Sequence, residues 1–220
     1  AVPLARLSLW LATLAADRPL SFLDHRLQSG DSLLGTWLAH LRQPPLHRRV
    51  ARPSERESFR RALPLFPDDA AAVALREALP IRFSLESTPN DTVEQVRGKE
   101  RALAALTAAD SPLARWKLVA HLWCAPWFAE TDAPPAAAFG ALSDAALTGR
   151  GTLPARTAQR FLASASALAE SRRLFHWELE FPEAFFDAAG RRRDRAGFDA
   201  VIGNPPWDMI RANAGEADAR

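Results

Sequence analysis

Four consecutive residues, Asn204-Pro205-Pro206-Trp207, combine the groups needed to grip a flat ring that carries an amino group. The Asn204 side-chain oxygen accepts one amino hydrogen. Pro205 has a carbonyl but no N–H of its own, so its oxygen is free to accept the second. Trp207 adds a flat face for stacking on the ring. The same four residues also read, more plainly, as a proline-terminated strand whose tryptophan belongs to a core.

Such a grip needs a rigid support. Phe198-Asp199-Ala200-Val201-Ile202 reads as a short buried strand, because Val and Ile favour pleated, half-buried backbone. Gly203 ends it and permits close approach, and Asn204 is pushed towards extended backbone by the proline that follows. Two prolines then prevent further ladder pairing. A polar turn at the carboxyl end of a strand is where open α/β sheets place their ligands.

The 220 residues suffice for one large domain, and a hydrophobic content of 48% is ordinary for a globular protein. No apolar run reaches the length of a membrane span, and the start, Ala1-Val2-Pro3-Leu4, lacks the basic and apolar regions of a signal peptide. It reads as an internal cut in a longer chain of cytoplasmic location. A lone Cys124 excludes an intrachain disulfide and a Cys-rich zinc site, and the five His lack ligand spacing, so no metal is expected. Net charge is +2, and Arg supplies nearly all the positive charge, with Lys only at Lys99 and Lys117. Arg suits bidentate phosphate recognition, but an Arg-, Ala- and Pro-rich composition is equally what a GC-rich genome produces.

Along the chain, residues 1–16 carry Leu4, Leu7, Leu11 and Leu14 at helical spacing, and Asp17-Arg18-Pro19 ends that helix. Phe22 to Gln28 reads as a strand, Ser29-Gly30-Asp31-Ser32 as a turn, and Leu33 to Leu41 as a helix. From Gln43 to Arg61 a Pro- and Arg-rich stretch reads as a solvated linker or as a contact to phosphates. A helical region follows over 68–170. Asp68 opens a helix that Pro80 closes. A capping box at Thr88-Pro89-Asn90-Asp91 opens one that runs to about Ala108. Ser111-Pro112 starts a helix that Pro126 interrupts, and Ala136–Leu147 and Pro154–Ala169 are two more. Trp116, Trp123, Trp127 and Phe128 are expected in the core. Phe175 to Phe185 alternates apolar and polar residues, which predicts a strand whose His176, Glu178, Glu180 and Glu183 form a solvated or DNA-facing side. Gly190 to Gly197 predicts an exposed basic hairpin loop.

The Asn-Pro-Pro-Trp motif resembles the catalytic motif of amino-group DNA methyltransferases of the adenine class. Residues 4–11, 27–35 and 175–185 strengthen the likeness. They resemble regions of large restriction-modification and BREX phage-defence adenine methyltransferases, including type IIG/IIL enzymes. The resemblance implies an α/β fold: part of a class I, Rossmann-like S-adenosylmethionine-dependent methyltransferase sheet with a large helical insertion. It divides the chain into a core piece at 1–42, a linker and helical insertion at 43–170, and a second core piece at 171–220. It implies Asn204, Pro205, Pro206 and Trp207 as the catalytic set and Asp31 as a cofactor-binding residue, where the residues alone read equally as a helix N-cap. The implied partner is double-stranded DNA with a flipped adenine, and no membrane. The family's Gly-rich cofactor loop, its ribose carboxylate and its target-recognition domain have no counterpart in these residues, so upstream and downstream segments of the same enzyme are expected. Other readings are a methyltransferase acting on cytosine, RNA or a protein amide, or a non-catalytic helical module or degenerate gene fragment.

Overall fold

The computed structural model describes residues 2–12, 25–45, 65–67, 70–89, 91–129 and 133–203. Asn204, Pro205, Pro206 and Trp207 lie outside them, as do most of the Pro/Arg stretch and the predicted helix start at Asp68.

The described residues contain helices and no β-strand, which corrects the expected Rossmann-like sheet. In chain order they are α1 (Val2–Ala12), the 3-10 turn η1 (Leu38–Arg42), α2 (Ala72–Ser87), α3 (Val93–Thr107), α4 (Pro112–Phe128), η2 (Ala136–Ala138), α5 (Phe139–Thr148), α6 (Ala155–Arg172) and two single turns, α7 (Trp177–Glu180) and α8 (Pro182–Phe185). Strand-like pairing is limited to two isolated bridges, Asp31 with Leu174 (parallel) and Phe186 with Arg192 (antiparallel).

Each predicted strand fails for a different reason. Of Phe22–Gln28, residues 25–28 are described and form no strand. In Phe175–Phe185 the polar residues do not alternate outward: His176 and Glu178 are buried, and Pro182 sits where a first helical turn accepts proline. Phe198–Ile202 forms no strand and pairs with none among the described residues, leaving Val201 78% and Ile202 97% exposed. The helix expected over Leu33–Leu41 is shorter and later, the 3-10 turn Leu38–Arg42.

The helical centre follows its local signals more closely. Ser111 caps α4 by accepting the Ala114 N–H at 3.1 Å, with Pro112 in the first turn. Residues Leu113, Trp116, Val119, Ala120, Leu122, Cys124 and Ala125 are buried on nearly every side of α4, so it is the central helix, packed on by α2, α3, α5 and α6. Trp116 belongs to this core and Trp123 packs against it from a partly buried position, whereas Trp127 is 38% exposed. Neither internal proline ends its helix. Pro80 lies within α2 and Pro126 within the last turn of α4. In α2 the segment beyond Pro80 is fixed by tertiary contacts, chiefly buried Arg82, which pairs with Glu183 at 2.6 and 2.9 Å and donates to the Glu180 carbonyl at 3.0 Å. These offset the lost helical bond of an interior proline, about 3 kcal/mol. The capping box of α3 is Thr92 with Gln95, not Thr88 with Asp91. Gln95 Oε1 reaches back to the Thr92 N–H at 3.0 Å, a span the shorter Asp side chain does not cover.

Helix α6 ends in Arg173, whose left-handed φ of 55° turns the chain sharply into Leu174. That turn delivers residues 174–178 to the site.

Candidate functional site

The Gly30-Asp31 turn and the Phe175–Phe185 segment are about 140 residues apart in sequence and lie side by side. Going along both segments in step, the Asp31 N–H donates to the Arg173 carbonyl at 2.7 Å and the Phe175 N–H to the Leu34 carbonyl at 2.7 Å. The Thr36 N–H then donates to His176 Nδ1 at 3.1 Å, and the Leu38 N–H to Glu178 Oε2 at 2.7 Å. Trp177 Nε1 donates across to the Ser32 carbonyl at 3.0 Å. The backbone N–H groups of residues 31–38 thus reach one backbone acceptor, at Arg173, and two side-chain acceptors, at His176 and Glu178.

Two glycines permit this closeness. A Cβ at Gly35 would overlap the Phe175 carbonyl oxygen, and one at Gly30 would overlap the Phe175 ring. Neither glycine has a left-handed φ, so space and not backbone freedom is what these positions require.

Burial sets the chemistry of the polar groups along this ladder. His176 is 1% exposed, and burial, with His121 and Lys117 nearby, pushes its pKa down to about 3. Because Nδ1 accepts the Thr36 N–H, the proton of the neutral ring sits on Nε2. That atom has no hydrogen-bond partner among the described residues, nor has Nδ1 of His121, and the two rings lie 5.2 Å apart. Burial, then Lys117, lowers His121 to about 4. Glu178 is 2% exposed and also pairs with Arg192. The expected solvated face is therefore a buried one at His176 and Glu178, with the Glu178 carboxylate bonded to the Leu38 N–H and Arg192. Glu180 and Glu183 are ion-paired with Lys117 and Arg82. Burial raises the Cys124 thiol to about 12, so it is a core residue and not a nucleophile at neutral pH.

The basic hairpin closes through the Phe186–Arg192 bridge, but its arginines are not all free. Arg191 pairs with Asp187 at 2.9 Å, Arg192 with Glu178, and Arg193 donates to the Glu183 carbonyl at 3.1 Å.

Asp31 itself is exposed, and its Oδ1 accepts the Leu33 N–H at 3.0 Å in an Asx-type turn. It caps a turn, where the sequence offered a helix N-cap. A carboxylate has roughly four acceptor positions, so a ligand's donors can still be met there.

Trp177 links this turn to the chain leading into Asn204. Its ring meets Phe198 edge-on at 5.5 Å, and Phe198 is also flanked by Phe181 at 5.7 Å and Phe185 at 6.0 Å. The Gly197 N–H donates to the Ala184 carbonyl at 2.9 Å just before it. Thr36 was not singled out from sequence, and Trp177 and Phe198 were read there only as parts of expected strands; the pair of glycines at 30 and 35 was the available signal for a close crossing. No three of His, Cys, Asp and Glu come together among the described residues. Among these residues no helix is long and apolar enough to cross a membrane.

A family model described as Eco57I restriction-modification methylase matches residues 1–218. No curated protein and no solved structure matches the chain.

Proposed function

The chain belongs to the Eco57I restriction-modification methylase family, and from that premise we propose that it is a site-specific, adenine-specific DNA methyltransferase using S-adenosylmethionine. The system it serves is of the large restriction-modification or BREX phage-defence type. In this reading residues 1–42 and 171–220 carry the site, and 43–170 are a linker and helical insertion.

One observation supports this reading most. The ladder sets the Asp31 turn against Trp177, and the ring of the same indole meets Phe198, six residues before Asn204. The Asp31 turn and the chain that leads towards Asn204 thus share one aromatic cluster. Six residues of chain reach at most about 20 Å, so Phe198 bounds how far the clamp can be from that cluster.

The residues divide the work. Asp31 accepts hydrogen bonds from the cofactor. When bound, S-adenosylmethionine supplies an electrophilic methyl group on its sulfonium. The target adenine leaves the duplex, because its amino group is otherwise paired and out of reach. Asn204 Oδ1 and the Pro205 carbonyl hold the two amino hydrogens and favour the positive charge that develops on the amino nitrogen. Pro206 stiffens the turn, and Trp207 stacks on the extruded ring, worth about 1–3 kcal/mol by comparison with other base–aromatic pairs.

The test is methyl transfer from labelled S-adenosylmethionine to duplex DNA, followed by digestion to nucleosides. The expected product is N6-methyladenine, and Asn204→Ala should lower the rate about 100- to 1000-fold with cofactor binding nearly unchanged. Label in cytosine, in RNA or in protein, or wild-type turnover by Asn204→Ala, would overturn the assignment.

A further inference from the structure

We infer that His40, Trp123 and Trp127 form a platform for an unpaired nucleobase; the choice of nucleic acid as partner rests on the DNA-acting reading above. Trp123 and Trp127 stand four residues apart on α4, so they share one face of that helix. Their rings are 6.0 Å apart, with planes inclined by 36°. His40, from η1, stacks on Trp123 at 5.4 Å with planes at 23°. Thr36 Oγ1 lies 3.3 Å from His40 Nδ1 and holds that ring in place. These spacings fall in the range of about 4.5–7 Å found for offset aromatic stacks, so the three rings make a continuous series.

The series is open to solvent. Trp127 is 38% exposed, His40 is exposed, and Trp123 is only partly buried. Ala39, Gln43 and Pro44 complete a cleft of about 270 Å³ around the rings. Sites for drug-sized ligands run to about 300–1,000 Å³, so this cleft suits a single flat ring system. Among the described residues no carboxylate lines it, and a phosphate backbone passing its rim meets no like charge there.

The hydrogen bonding favours a base over a proline-rich peptide, the other partner of aromatic grooves. Prolines leave a peptide with carbonyls in excess of N–H groups, so its capture draws on donors from the groove. The Trp123 N–H is already given to the Gln43 carbonyl at 3.1 Å, so this indole offers its face and no donor. A nucleobase needs the face, and brings donors and acceptors of its own to the exposed Gln43 side-chain amide.

The test measures binding of the full chain to three labelled probes by fluorescence anisotropy: a single-stranded thymidine oligonucleotide, its tetrahydrofuran abasic analogue of equal length, and a proline-rich peptide. The wild-type protein should bind the thymidine chain about 5- to 100-fold more tightly than the abasic chain, the range of base–aromatic stacking. Trp127→Leu should remove most of that preference and leave affinity for the abasic chain unchanged. Should Trp127→Leu fold poorly, ultraviolet crosslinking of a 5-bromodeoxyuridine oligonucleotide to the wild-type protein should map to His40, Trp123 or Trp127.

Equal affinity for the thymidine and abasic chains overturns the inference, as do crosslinks confined to other residues. Tighter binding of the peptide than of the oligonucleotide overturns it in favour of a protein partner. If the wild-type protein makes no N6-methyladenine, the functional reading fails. If it makes that product and does not tell the two chains apart, the platform alone fails.

Discussion

The helical centre, α2 to α6, and the ladder between residues 31–38 and 173–178 hold together by different means. The centre buries Leu79, Val119, Leu122 and Leu142 almost completely, around a helix that is apolar on nearly every side. Its cohesion comes from area removed from water, which tolerates small shifts of one helix on another. The ladder carries large apolar residues too, Leu174 and Phe175 among them, but they do not set its register. It depends on named donors and acceptors at 2.7–3.1 Å and on two positions where only hydrogen fits in place of a side chain. The centre is thus a scaffold, whereas the ladder fixes register.

The contrast is sharpest at Gly35. Gly35→Ala forces its methyl into the Phe175 carbonyl, where backbone and not a flexible side chain must yield. It should cost about 3 kcal/mol by urea unfolding, at the upper end of overpacking, and abolish measurable cofactor binding as the ladder separates. Leu122→Ala, in the fully buried centre, should cost a comparable 2–5 kcal/mol through the cavity it leaves, yet keep cofactor affinity within about 2-fold. Calorimetric titration beside urea melts checks both. Equal losses of affinity would show that the two regions are one cooperative unit.

A smaller effect separates the regions by pH. His121 and His176 are held neutral by burial, with folded pKa values of about 4 and about 3, below the ordinary 6.5. Between those values and 6.5 the unfolded chain binds protons that the folded chain does not. Stability from these two groups is therefore fully present above pH 6.5, and is lost as pH falls towards their folded values. The Tm should drop on going from pH 7 to pH 5. His121→Gln should flatten part of that dependence, and a Tm profile that is identical in the variant would remove His121 from the account.

The smallest expected effect is at Arg173, the exposed residue with φ 55° that turns α6 into the ladder. Arg173→Gly relieves the Cβ strain of that conformation and should stabilise the fold, by up to about 1 kcal/mol after the entropy glycine adds to the unfolded chain. A lower urea midpoint would mean that the Arg173 side chain contributes more than its backbone costs.

What the sequence disclosed follows the same division. Caps act within a few residues of the groups they satisfy, so Ser111-Pro112 and the end of α3 near Thr107 were legible. The exceptions were tertiary: Pro80 is carried inside α2 because Arg82, just beyond it, is gripped by Glu183 from a distant turn. The ladder was not legible, because its acceptors are buried polar side chains that alternation counts as outward-facing. His176 and Glu178 misled the strand assignment for that reason. Asp31 was picked out through its motif, but its register with Arg173 depends on a partner about 140 residues away. The Asn204 motif was legible as chemistry, and its residues lie beyond those described.

Amide hydrogen exchange with and without S-adenosylmethionine tests the central claim most directly, since it reads both sides of the ladder at once. Cofactor held at the Asp31 turn should slow exchange in residues 31–38 and in 173–178 together, while α5, residues 139–148, exchanges as before. Protection of one segment without the other, or of neither while the cofactor is demonstrably bound, would contradict the proposal that the ladder couples the two segments at the cofactor turn.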